Sequence, residues 1–166
     1  MTIKVIASDM DGTFLDDKGS YDKERFSQIL DAMAARDMHF VVASGNSMSR
    51  LKPMFADTFD RLHFVAENGG QVVSYGKLLC QEFMASNDVE NLLSYFNYDL
   101  LDKPTIFNGA KSAYMLSGTK LHFGKEMITE EEQATMEASI HRLNGLEDLD
   151  DDFIKITMLL SPEEAN

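Results

Sequence analysis

Short apolar runs alternate with amphipathic stretches through the first half of the chain. "IKVIAS", residues 3–8, is rich in β-branched side chains, stops at an Asp/Gly turn and reads as a strand. Phe26, Ile29, Leu30 and Met33 then recur at the i, i+3, i+4, i+7 spacing of one buried helical face. Charged residues between Asp22 and Asp37 fill the other faces. "HFVVASGN" repeats the strand and small-residue loop, "SMSRLKPMFADTF" offers a second helix broken near Pro53, and "LHFVAENGG" predicts a third strand closing on a Gly pair. The order is βαβαβ. Strands joined by helices run parallel with right-handed crossovers, and ligands of such sheets gather at the carboxyl ends of the strands. The polar loops at residues 9–13, 44–46 and 67–70 belong to that edge.

From Gln71 the rhythm changes. "QVVSYGKLLCQEF" predicts a hairpin about Tyr75 and Gly76. "NDVENLLSYF" reads as a helix, and "TIFNGAKSAYML" as a hairpin turning near Asn108 and Gly109. "TEEEQATMEASIHRLNG" reads as a helix capped by Thr129, with Glu132 three residues on, and stopped at Gly145. "FIKITMLL" adds a strand. Without crossover spacing, this region predicts a small antiparallel sheet with helices on one face. The expected architecture is α/β: a parallel, Rossmann-like core over residues 1–82, followed by an α+β unit over 83–166. No repeat or low-complexity linker interrupts it.

Composition narrows the function. With 28 acidic against 15 basic residues the formal charge is −13, and no basic cluster offsets it, so neither nucleic acid nor an anionic membrane is an expected partner. The N-terminus lacks the pattern of a signal peptide and no window approaches a membrane span, which makes the cytoplasm the expected compartment. A single cysteine excludes an intrachain disulfide, and Cys80 reads as a small buried hydrophobe. His39, His63, His122 and His141 have no ligand-like spacing; His39 and His63 open strands and read as structural.

"DMDGTFL" carries the candidate chemistry. Side chains two apart on extended backbone point the same way, so Asp9 and Asp11 can face one site, and Gly12 permits the turn that follows. Two close carboxylates repel unless a cation sits beside them, and oxygen ligands with no His or Cys nearby suit Mg²⁺. A carboxylate so placed can attack a phosphoryl group in line while its neighbour moves the proton. The plainer alternative is a turn, since Asp and Gly favour turns anyway. A calcium-binding EF-hand loop is excluded, because Thr13, Phe14 and Leu15 interrupt the ligand pattern and Ser20 occupies the position of the closing Glu. Ser44 and Gly45 at a helix start form an anion site, although a lone Ser there is also an ordinary helix cap.

"DMDGTFL" after a hydrophobic strand resembles the first motif of the haloacid dehalogenase superfamily, and "VVASGN" resembles its second. "AENGG" is similar to the third-strand loop of the Cof-type branch, whose α/β cap is inserted after that strand. The resemblance implies a Mg²⁺-dependent phosphatase of small phosphorylated metabolites, sugar phosphates foremost, working through an aspartyl-phosphate. It assigns catalysis and metal binding to Asp9 and Asp11, and phosphate binding to Met10, Ser44, Gly45 and Asn46. Asn68 and Gly69 would lie near the site, and Asn108 and Lys111 could reach substrate from a cap over residues 83–166.

The family's third motif, a Lys, and its fourth, an acidic Gly-Asp-x-x-Asn-Asp cluster, do not appear in these 166 residues. "LEDLDDD" follows a helix and precedes a strand, the reverse of the required placement, and reads as a solvated loop. Asn46 stands where many relatives have Arg. The expectation is therefore a truncated phosphatase with weak turnover, whose first strand is an apolar edge open to self-association or to pairing with a missing half. The alternative is a non-catalytic module that binds phosphate or metabolite, or an interaction module. A receiver domain fits poorly, since Glu67, Asn68 and Gly69 stand where its phosphoacceptor Asp belongs.

Overall fold

Three parallel strands, β1 (Val5–Ser8), β2 (His39–Ala43) and β3 (His63–Ala66), form the start of the chain; burial alternates along β2 and β3, whereas β1 is largely exposed. The computed structural model describes residues 3–96, 102–121, 130–148 and 150–160. The chain divides into two units, Met1–Glu82 and Phe83–Asn166.

In the first unit, β4 (Gln71–Ser74) and β5 (Lys77–Gln81) extend the sheet antiparallel, giving the order β1-β2-β3-β4-β5. The register Ile6↔Phe40 and Val42↔Phe64 puts Phe40, Val42, Phe64 and Ala66 on one face. Helices α1 (Lys23–Ala34) and α2 (Met48–Met54) bring Phe26, Leu30, Met33 and Leu51 to the same core. Asp22 caps α1 by accepting a hydrogen bond from the Arg25 N–H at 2.9 Å. Ile29, expected on the buried stripe, is 44% exposed, because Phe26, Leu30 and Met33 alone span the contact face. Helix α2 is shorter than predicted. It ends at Met54, one residue after Pro53, and Phe55 turns fully into the core.

Cys80 departs from expectation too. It lies on the edge strand β5 and is exposed, its thiol donating to Glu82 Oε1 at 3.4 Å. That carboxylate and partial desolvation raise the thiol pKa, so the group is less nucleophilic than a free cysteine.

The second unit contains α3 (Ser86–Tyr95), β6 (Thr105–Gly109), β7 (Ala113–Leu116), α4 (Glu130–Ser139), β8 (Ile140–Leu143) and β9 (Phe153–Met158). Its sheet has the order β8-β7-β6-β9 and is mixed rather than antiparallel, because β7 and β8 run parallel. The helix expected to reach Gly145 stops at Ser139. "IHRL" instead pairs with β7 and buries Ile140 and Leu143, since strand pairing satisfies its backbone as well as its apolar side chains. The expected Thr129 cap and His122 lie outside the described residues. Helix α3 packs Val89, Leu92 and Leu93 with Phe107, whereas Met136 of α4 packs with Ile106 and Met115. Adjacent residues of one strand face opposite ways, so the two helices cover opposite faces rather than one. The β6–β7 turn falls at residues 110–112, just beyond Gly109, with the Gly109 N–H donating to the Ser112 carbonyl at 2.8 Å. Among the described residues no helix is long and apolar enough to cross a membrane.

Candidate active site

The loop after β1 is held from below. Met10 is fully buried and Leu15 nearly so, and the Leu15 N–H closes the loop onto the Met10 carbonyl at 3.0 Å. Phe14 packs its ring at 4.9 Å from Phe26 and 5.6 Å from Phe40, tying the loop to α1 and β2. Burial of the Met10 side chain alone contributes about 2 kcal/mol. With Met10 turned inward, Asp9 and Asp11 on either side are exposed. Gly12 takes φ 73°, the left-handed turn for which its missing Cβ suits it.

The loops after β2 and β3 are stitched together by their backbones. The Ser44 N–H donates to the Val65 carbonyl at 2.9 Å, Glu67 N–H to Asn46 at 3.1 Å, and Asn68 N–H to Ser44 at 3.4 Å. Glu67, Asn68 and Gly69 have φ of 54°, 57° and 100°, a left-handed run that turns the chain back beneath Gly45. A Cβ on Gly45 would lie 2.6 Å from Asn68 Oδ1, so a side chain at 45 would displace that amide.

Asn46 joins the loops. Its backbone N–H donates to Ser44 Oγ at 3.0 Å, and its side-chain Nδ2 donates to Asp11 Oδ2 at 2.7 Å. Ser44 is buried, and because its oxygen already accepts from Asn46, its hydroxyl hydrogen is available to a ligand. Asp9 Oδ2 accepts one long hydrogen bond, from Thr13 Oγ1 at 3.4 Å. Asp11, Asn46 and Ser44 are thus brought together, with Gly45 and the Asn68 amide packed beside them. The Met10 side chain belongs to the core instead.

Arg50 is the residue that sequence reasoning missed. It lies in the first turn of α2, donates from Nη1 to Asn46 Oδ1 at 3.0 Å and brings Nη2 within 3.9 Å of Asp11 Oδ1. Its i, i+4 spacing from Asn46 at a helix start was the available signal.

Asn108 and Lys111 lie in the second unit. Asn108 is on β6, in register with Ala113 and Lys155. The Lys111 ammonium donates to the Asp150 carbonyl at 2.6 Å and approaches its carboxylate at 3.4 Å. "LEDLDDD" is more than a solvated loop. Asp151 Oδ2 accepts from the N–H groups of Lys111 (2.9 Å) and Ser112 (3.4 Å) and from the Tyr114 hydroxyl (3.0 Å), while Oδ1 accepts from the Asp152 N–H (2.9 Å). Burial pushes the Asp151 pKa up, but those hydrogen bonds together outweigh it and the net shift is downward.

The donor set suits a hard cation in kind, since carboxylate and hydroxyl oxygens line it. Asp9, with one long hydrogen bond, is open to such an ion, whereas Asp11 already faces the Asn46 amide and Arg50. Among the described residues no group of three or more His, Cys, Asp and Glu is placed to hold a metal.

A strand-terminal Asp-x-Asp thus lies beside a Ser-Gly loop, on an α/β sheet whose first three strands run parallel, and comparison with known proteins gives the family. Residues 6–166 match the model of the haloacid dehalogenase-like hydrolase family, and the chain belongs to that family.

The chain is 37% identical over 169 residues to the 5-amino-6-(5-phospho-D-ribitylamino)uracil phosphatase YbjI of Escherichia coli (strain K12), covering 98% of this chain and 58% of that protein. The crystal structure of SMU.1108c from Streptococcus mutans UA159 superposes with a TM-score of 0.81 at 32% identity, over 99% of this chain and 59% of the other. The subclass IIB sugar phosphatase BT4131 shares the fold, with a TM-score of 0.70 at 15% identity over 99% of this chain and 61% of its own. The chain therefore spans about three-fifths of the length of these relatives.

Proposed function

We propose that this chain carries the nucleophile and phosphate-binding part of a Mg²⁺-dependent phosphatase of small phosphorylated metabolites, sugar phosphates foremost. The observation that carries the reading is the Asn46 bridge, which ties the Asp11 carboxylate and the Ser44 hydroxyl to one residue at the strand ends. The name of the Escherichia coli relative, a phosphatase of a phosphorylated ribityl compound, supports the substrate class.

In this reading Asp9 attacks phosphorus in line, and the bond to the leaving oxygen breaks as Asp11 donates its proton to that oxygen. The Ser44 hydroxyl and the Gly45 N–H hold the phosphoryl oxygens from the loop before α2, which begins at Met48 rather than at the helix start expected at Gly45. Asp11 then takes a proton from the water that attacks the aspartyl-phosphate, releasing phosphate and restoring Asp9. Asp9, with Asp11 beside it, would hold Mg²⁺, which when bound offsets charge on the phosphoryl oxygens. Asn68 and Gly69 border the leaving group, and the setting is cytoplasmic.

The test is phosphate release from a panel of sugar phosphates and other small phosphomonoesters, with and without Mg²⁺. Release should require Mg²⁺ and fall about a thousandfold or more in Asp9→Asn, which removes the nucleophile. Binding of inorganic phosphate without any release, or release untouched by Asp9→Asn, would favour the non-catalytic module.

A further inference from the structure

The register of the first sheet sets two imidazoles side by side at the end of β2 and β3 away from Asp9 and Asp11. His63 pairs with Val41, two residues on from His39, so all three share the face opposite Phe40, Val42 and Phe64. His63 Nε2 lies 3.4 Å from His39 Nδ1, and the Tyr75 hydroxyl lies 2.6 Å from the same Nδ1. Groups from β2, β3 and the turn after β4 thus converge on one point.

That spacing has a chemical meaning. Two nitrogens bound to one metal ion at about 2.0–2.1 Å, with about 90–110° between the bonds, lie about 2.8–3.4 Å apart. The observed 3.4 Å is the tetrahedral end of that range, so the rings need only pivot to share an ion. The other nitrogen of His63, Nδ1, is tied to Ser74 Oγ at 2.9 Å. When Nδ1–H donates to that oxygen, Nε2 carries its lone pair toward His39, as in the outer-shell arrangement that orients a ligating imidazole. Burial first, and then His39, lower the His63 pKa, which keeps the lone pair free at neutral pH. Access is open as well: His39 and Tyr75 line a cavity of about 340 Å³ with Asp37, Asp60 and Arg61. Lys4 offsets Asp37 and Asp31 offsets Arg61, which leaves the Asp60 carboxylate to favour a cation there.

We propose that His39 and His63 form a two-imidazole site for a borderline divalent transition-metal ion, Zn²⁺ or Cu²⁺, with Tyr75 beside it and water completing the coordination. Imidazole nitrogen suits these ions and not Mg²⁺, so the site differs in kind from the carboxylates Asp9 and Asp11 and does not rest on the phosphatase reading. Two protein ligands are fewer than the four of a structural zinc site, so the ion exchanges with solvent. While bound it joins β2 to β3.

Calorimetric titration of the 166-residue chain with CuCl₂ and with ZnCl₂, in about 10 mM Mg²⁺ to fill oxygen sites, tests the assignment. Cu²⁺ should bind one equivalent with a Kd of about 10 µM, and Zn²⁺ should bind more weakly. His39→Gln and His63→Gln should each weaken binding at least about tenfold, while His141→Gln, on β8, leaves it unchanged. Pulsed EPR of the Cu²⁺ form should count two imidazoles in the wild-type chain and one in His63→Gln. No binding at about 1 mM Cu²⁺, affinity indifferent to both substitutions, or fewer than two imidazoles in the wild-type spectrum would overturn the proposal. If the glutamine variants do not fold, the wild-type imidazole count and its persistence in His141→Gln decide it.

Discussion

At the scale of single residues, the site depends on what is absent as much as on what is present. Gly45 leaves room for the Asn68 amide, and a Cβ there would meet Oδ1 at 2.6 Å. Asn68 sits at φ 57°, a conformation glycine adopts freely. Gly45→Ala should therefore destabilise the first unit by about 1 kcal/mol, while the same change in an Asn68→Gly background should cost little, because nothing remains to be displaced. Urea unfolding of the four proteins measures the coupling; additive effects would show that the two positions do not meet. Both residues were visible in "ASGN" and "AENGG", but their contact was not, since the sequence holds them 23 positions apart (68 − 45).

At the scale of elements, the opposite ends of β2 and β3 carry a second polar cluster. His63 Nδ1 lies 2.9 Å from Ser74 Oγ and Nε2 lies 3.4 Å from His39 Nδ1, which in turn sits 2.6 Å from the Tyr75 hydroxyl. Burial first, and then the neighbouring His39, lower the His63 pKa below its usual 6.5. A depressed histidine pKa means that the unfolded chain binds the proton more readily than the folded one. The stability from this cluster is thus fully present above the unfolded pKa, near 6.5, and declines as pH falls from there toward the lower folded value. The urea midpoint should drop from about pH 7.5 to about pH 5.5, and His63→Gln should flatten that slope. A slope unchanged in the variant would assign the pH dependence to other groups. The strand-opening positions of both histidines were legible in the pattern; their pairing came from the register of β2 with β3.

At the scale of the whole molecule, β1 is one edge of its sheet, with Val5 54% and Ile6 41% exposed. An apolar edge with open backbone groups is a pairing surface. The formal charge of −13 opposes association between copies, and salt screens that repulsion. The chain should therefore associate with itself more strongly at about 0.5 M than at about 0.05 M salt, and Val5→Lys should weaken the association about tenfold. Sedimentation velocity decides the point, and a monomer under every condition would show that the edge is protected.

The sequence by itself determined the βαβαβ order, the following hairpin and the turn that exposes Asp9 and Asp11. Alternation, helical spacing and Asp/Gly turn chemistry act over a few residues and are written locally. Tertiary structure alone decided the rest. It turned "IHRL" from a predicted helix end into β8, because β7 offered a ladder, and left Cys80 exposed, because β5 is an edge. It also brought Arg50 through Asn46 to Asp11, across 35 residues between Asn46 and Asp11. Contacts of that range depend on which strands lie side by side, and local pattern does not encode that choice.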